Sequence, residues 1–181
     1  SKVNKLSQHR DELDLVIFIS HANVSIDPNI PVPKWHLSEN PSHPTDLGVD
    51  YYAGLLTGST RSYSSWNFTQ NGQTTTSEEY ITTKFSDLAI DWLGTQSEPW
   101  FLWLAYTAPH TPFHLPPNDL HTFDGLTSDQ ASIDANPLPY YLAMMESMDT
   151  EIGRVLASLS TSELENTLII FIGDNGTPNE V

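Results

Sequence analysis

Residues 100–106 form an uninterrupted apolar and aromatic run, Trp-Phe-Leu-Trp-Leu-Ala-Tyr. This is the pattern of a strand buried on both faces of a parallel sheet. The run stops at Ala108-Pro109-His110, where the proline removes a backbone donor and biases Ala108 away from helix. The chain must leave the sheet there, with His110 just past the strand end. Residues 13–20 carry a β-branched core of strand length, and 165–173 read as a second buried strand whose apolar centre is 167–172.

Two stretches repeat at helical spacing instead. Tyr80, Ile81, Phe85, Leu88, Ala89, Trp92 and Leu93 predict a helix over 78–93, with Ser77 as N-cap, acids in the first turn and Gly94 as its stop. Residues 139–159 predict another, with Pro139 in the first turn and Leu142, Met145, Ile152, Val155, Leu156 and Leu159 as its buried stripe. Its methionines are core filler, and Glu151 and Arg154 are spaced to pair on the wet face. Between these elements the pattern dissolves. Five prolines between residues 27 and 44 exclude a central strand or a helix interior there. Residues 44–76 read as an irregular segment tacked down by aromatics, and 118–139 as a long loop.

Composition narrows the classes. The 181 residues suit one domain with its own core. Seven Lys and Arg against 23 Asp and Glu give a net charge of −16, which argues against a nucleic-acid or anionic-membrane surface and is compatible with cation binding. There is no cysteine, hence no disulfide, thiolate metal site or cysteine nucleophile. No apolar run approaches the ~20 residues of a bilayer span, and residues 1–10 are polar, unlike a signal peptide.

The candidate chemistry sits where strands end. In open α/β sheets ligands bind outside the carboxyl ends of the strands. A strand, helix, strand order over 101–106, 140–159 and 167–172 is a parallel crossover if the two strands share a sheet, which puts both carboxyl ends on one edge. His110 then shares that edge with Asp174 and Asn175, whose carboxylate and carbonyl oxygens suit Ca²⁺ or Mg²⁺ between turn-forming Gly173 and Gly176. Lys34 and His36, two apart on extended backbone, would point to one side toward an anion while Trp35 packs the other way. His21 also follows a strand and His114 lies near the loop, each weaker as a candidate because a histidine there is commonly just hydrogen-bonded or solvated. Asn67-Phe68-Thr69 matches a glycosylation sequon too short to be informative. On physical grounds alone the chain reads as a metal-assisted hydrolase of anionic esters.

Four segments in order resemble the sulfatase family of the alkaline-phosphatase-like superfamily. Lys34-Trp-His-Leu is similar to its Gly-Lys-Trp-His-Leu-Gly, and residues 47–54 to the Gly-Phe-Asp segment that follows. Residues 101–112 resemble the strand ending in its Pro-His, and 141–176 the helix and strand that carry its calcium ligands. The resemblance implies an α/β fold: part of an alkaline-phosphatase-like, mostly parallel sheet flanked by helices, incomplete at both ends. Residues 1–33 stand unassigned before the central part of a catalytic domain over 34–181. It also implies a formylglycine-dependent hydrolysis of small-molecule or carbohydrate sulfate esters. In that chemistry a formylglycine hydrate attacks sulfur, the alcohol leaves, and the sulfated residue expels sulfate. Lys34 would hold the sulfate and the nucleophile, His36 would act as a base, and His110 would bind sulfate and aid leaving-group protonation. Asp174 and Asn175 would complete a calcium shell, and a periplasmic, secreted or lysosomal location would be expected.

The departures set equally definite expectations. The family's Asp-Asp pair and its Cys/Ser-x-Pro-x-Arg nucleophile motif, both upstream of Lys-Trp-His, have no counterpart here, and Pro33 and Ser38 replace the flanking glycines. The lysine expected beyond Asp-Asn-Gly would lie past Val181. This chain is therefore expected to be a fragment that is inactive alone, with calcium weak or absent in it and formylglycine not encoded. The alternatives are a non-catalytic truncated chain or pseudoenzyme, and a phosphodiesterase or phosphonate hydrolase on the same scaffold.

Overall fold

The computed structural model describes the backbone of residues 14–21 and, with side chains, residues 35, 37–97, 99–173 and 181. In chain order the elements are β1 (Asp14–His21), α1 (His43–Asp46), β2 (Ala53–Gly54), β3 (Trp66–Gln70), β4 (Gln73–Ser77), α2 (Ile81–Leu93), β5 (Phe101–Pro109), a 3₁₀ turn (Asn118–Leu120), α3 (Gln130–Ala135), α4 (Leu138–Ser158), α5 (Thr161–Asn166) and β6 (Thr167–Gly173).

The principal sheet has the order β5-β1-β6, and both pairings are parallel. Sequence order suggested that β5 and β6 are joined through α4 as a crossover pair. They do share the sheet, but β1 lies between them, with Phe18 opposite Leu104 on one side and Phe171 on the other. The common polarity survives: all three carboxyl ends fall on one edge.

Both long helices pack against β5 and against each other. The core between them gathers Ile81, Phe85 and Ala89 of α2, Leu104 and Tyr106 of β5, and Met144, Met148 and Val155 of α4. Because the helices cover β5 rather than β6, the expected burial of β6 does not occur. Leu168, Ile169, Phe171 and Ile172 are exposed, as is Phe101 at the start of β5.

The buried face of α4 also differs from expectation. It is Tyr140, Ala143, Met144, Ser147, Met148, Glu151 and Val155, a helical stripe that includes two polar residues, while Leu142 is exposed. Of the expected stripe, Val155 and Leu159 are buried and Met145, Ile152 and Leu156 pack partly buried against the same core, so the aliphatic positions mark one flank of the buried face. In α2 the expected face holds for Ile81, Phe85, Ala89 and Leu93, joined by Thr82 and Ser86. The helix itself starts later than the acids suggested, after Tyr80, and Ser77 closes β4 instead of capping it.

The segment 44–76, expected to be irregular, contributes with Ser77 a small antiparallel sheet in the order β2-β3-β4. Its hairpin turns at Asn71-Gly72, both with positive φ (44° and 83°), the conformation that a two-residue turn matched to strand twist demands. The proline-rich segment holds the short α1 with Pro44 in its first turn, where a missing N–H costs nothing. The long loop holds α3, N-capped by Asp129, which accepts from Ser132 N at 2.9 Å. Residues 165 and 166 belong to α5, which Ser160 and Glu163 start with a reciprocal capping box.

Candidate functional site

The parallel register fixes which residues meet at the sheet edge. His21 pairs with Pro109 and Ser20 with Gly173, so the three strands end level with one another. His110 follows β5 directly, and Asp174 and Asn175 follow β6. With neighbouring strands about 4.8 Å apart, the two flanking ends lie roughly 10 Å from each other across the end of β1. That is the span of a bound anion or ion with its ligands rather than of a direct contact. Lys34, His36, Asp174 and Asn175 themselves lie outside the described residues, as does the segment 1–13 and the stretch after β1. His21 closes the central strand.

His110 is held from several directions. Its N–H donates to Thr107 O at 2.9 Å, closing a turn as the chain leaves β5. Its Nδ1 donates to Thr111 O at 2.6 Å, so in the neutral ring Nε2 is the accepting nitrogen. Its carbonyl accepts from the Tyr63 hydroxyl at 2.7 Å. Tyr63 is only 3% exposed, and burial pushes its phenol well above the ordinary value, so it remains a protonated donor. Tyr63 in turn is tied to the start of α2, because its carbonyl accepts from Ile81 N at 2.9 Å.

His114 lies beside this arrangement as a packing residue. Its ring sits 4.1 Å from that of Tyr63. Nδ1 donates to Pro112 O at 3.1 Å and Nε2 accepts from the Tyr80 hydroxyl at 3.0 Å. Burial pushes its pKa down to about 4, against the weaker opposing effect of the Pro112 carbonyl. His114 is thus a neutral, fully bonded imidazole at pH 7. His121 is also used locally, donating to Pro116 O and accepting from Phe123 N.

Trp35 is buried, and its indole N–H donates to His43 Nδ1 at 2.8 Å while Tyr52 packs edge-on against the ring. Its N–H donates to Leu55 O. Lys34 and His36 therefore flank a fixed anchor, and His43, which no sequence pattern singled out, supplies part of it. Among the described residues no three His, Asp or Glu side chains cluster to hold a metal. The oxygen donors of Asp174 and Asn175 fit the chemistry of Ca²⁺ and would supply part of a shell. A cavity of about 570 Å³ opens along the amino-terminal half of β5, lined by Trp35, Tyr52, Trp92, Trp100 and Trp103. Leu102, also on its wall, stands eight positions before His110 along the strand and its exit, so the cavity lies away from the candidate edge.

Comparison with known proteins places these features in a family context. The family model described as Sulfatase matches residues 31–180. The chain is 30% identical over 163 residues to the uncharacterized sulfatase YdeN of Escherichia coli, covering 82% of this chain and 28% of that protein. It is 24% identical over 200 residues to an arylsulfatase of Klebsiella aerogenes, covering 79% and 43%. Among solved structures, Ps i-CgsB in complex with k-i-k-neocarrahexaose superposes with a TM-score of 0.62 at 22% identity, covering 97% of this chain and 40% of that one. That likeness shows the fold. The chain thus spans less than half the length of these relatives. No helix among the described residues is long and apolar enough to cross a membrane.

Proposed function

The chain belongs to the sulfatase family, and from that premise we propose that it contributes the central part of a catalytic domain that hydrolyses sulfate esters. The observation that supports the reading is the level ending of β5 and β6 around β1, with His110 directly after β5 and Asp174 and Asn175 next in sequence after β6. His110 is assigned to the sulfate and its leaving-group oxygen. Since Nδ1 donates to Thr111 O, we assign this task to Nε2. Lys34 binds the sulfate as a cation, and His36 accepts a proton from the nucleophile. Asp174 and Asn175 would hold Ca²⁺, whose charge would offset that of the bound ester. The fully bonded His114 takes no part.

The substrate class we assign is an aryl or carbohydrate sulfate; one compared structure holds the oligosaccharide k-i-k-neocarrahexaose. The chain has no cysteine, and none of its prolines is followed two residues later by arginine, so the nucleophile must come from sequence other than these residues. Sequencing the transcript upstream of Lys34 and expressing the longest open frame with a formylglycine-generating enzyme tests the reading. The expected result is a Cys/Ser-x-Pro-x-Arg motif, an aldehyde at its first residue by mass spectrometry, and turnover of an aryl sulfate. A complete frame without that motif, or turnover of phosphodiesters in preference to sulfates, would overturn it.

A further inference from the structure

We propose that Tyr63 is a positioning residue for His110, holding the backbone from which the imidazole projects into the site. This rests on the assignment of His110 to the sulfate. Tyr63 lies 47 positions before His110 in sequence, yet its hydroxyl donates to the His110 carbonyl at 2.7 Å. A buried neutral hydrogen bond between distant segments is made only where the surrounding packing fixes both ends. Both ends are fixed here. On the tyrosine side, the Tyr63 carbonyl accepts from the first N–H of α2, and its ring packs tilted against His114 at 4.1 Å and lies 6.1 Å from that of Tyr80. On the histidine side, His110 N and Nδ1 bond to Thr107 O and Thr111 O.

The consequence is geometric. The turn after β5 has no further ladder to define it, since the strand ends at Pro109. Without the phenol, the His110 carbonyl would have to find another donor, and the peptide plane carrying His110 would rotate. The imidazole direction would follow. His114 and the Tyr80 hydroxyl keep the Tyr63 ring from swinging away, so the three aromatics act on His110 without touching the reacting atoms.

The test uses the 181-residue chain labelled with ¹⁵N-histidine. In Y63F the His110 ring nitrogen shifts should move away from their single-tautomer pattern, while those of His43 and His121 stay in place. Inorganic sulfate, read through the same His110 signals, should bind about fivefold more weakly. Installing 4-aminophenylalanine at position 63, which restores a para donor, should return both readouts toward wild type. Unmoved His110 shifts in Y63F would overturn the proposal. If Y63F does not fold, 3-fluorotyrosine at position 63, with a more acidic hydroxyl and the contact kept, should shift His110 and the adjacent His114 while His43 and His121 stay in place; no shift of His110 overturns it equally. A wild-type His110 indifferent to sulfate would count against the functional assignment of the site while leaving the shift comparison intact.

Discussion

Glu151 and Arg154, one turn apart on α4, form an ion pair of 2.6 Å in which the carboxylate is buried and the guanidinium half-exposed. The other carboxylate oxygen accepts from Thr83 Oγ1 at 2.9 Å, and Arg154 reaches on to Asp87 at 2.5 Å, so the group ties α4 to α2. Removing the arginine leaves a buried carboxylate with a hydroxyl as its remaining partner. Arg154→Met should destabilise the fold by about 2–3 kcal/mol, less than for a fully buried pair because water reaches the guanidinium. Urea denaturation reads this directly, and R154K should recover only part of the loss because one ammonium cannot span both carboxylates.

The His114 environment sets a pH dependence. Its pKa is held near 4 in the folded chain against 6.5 for the ordinary group, so between those values the unfolded chain binds a proton that the folded one refuses. The stability tied to the neutral ring is fully present above pH 6.5 and is lost as pH falls toward 4, roughly 3 kcal/mol in all. Protonation also removes the acceptor that Tyr80 uses. The urea midpoint should fall across this window, and the fall should flatten in His114→Gln; an unchanged slope in that variant would refute the account.

His43→Ala should leave the indole N–H of buried Trp35 without its acceptor. The expected cost is about 1–3 kcal/mol, measured by thermal or denaturant unfolding, with Trp35 fluorescence shifting to the red as water reaches the ring. Because Trp35 sits between Lys34 and His36, sulfate binding by the chain should weaken in the same variant.

Gly72 stands in a turn at φ 83°, and a Cβ there would meet nothing within 4 Å. The cost of Gly72→Ala is therefore conformational alone, about 1 kcal/mol. D-alanine at the same position, introduced by semisynthesis, should be neutral or stabilising. If L- and D-alanine behaved alike, the backbone argument would be wrong.

Incubated with an aryl sulfate and Ca²⁺, the isolated chain should show no turnover. In a longer active form, His110→Ala should lower kcat by about 10²–10⁴-fold, the usual contribution of a positioned acid or base. Appreciable turnover by the 181 residues themselves would refute the first expectation, and an unaltered kcat the second.

The parallel strands were legible because their runs of Val, Ile, Leu and Phe have no polar alternation, and the proline after β5 marks where its ladder stops. The helix cores at Phe85 and Val155 followed from periodicity in the same way. The hairpin was available as well, since Asn71-Gly72 between alternating residues is a strong local turn signal, but the polar content of β4 obscured it. Three features were not available. Sequence order could not tell that β1 would separate β5 from β6, because strand adjacency is settled by packing and hydrogen-bond pairing across the whole sheet. Periodicity could not place Glu151 in the core, because its burial depends on Thr83 and Arg154 arriving at the same point. The place of His110 at a strand end ranked it above His114, but the bonds to Pro112 and Tyr80 that occupy His114 could not be read from spacing.

Local sequence by itself determined where the parallel strands and the two long helices form, where β5 ends, and therefore that a histidine and an Asp-Asn pair follow strand ends; these depend on short-range backbone sterics and the period of burial. Only the tertiary structure decided that the ends are level, that Tyr63 holds the carbonyl of His110, and that His114 is spent on Pro112 and Tyr80. Those contacts join segments far apart in the chain, and their geometry exists only once the core between α2, α4 and β5 has closed.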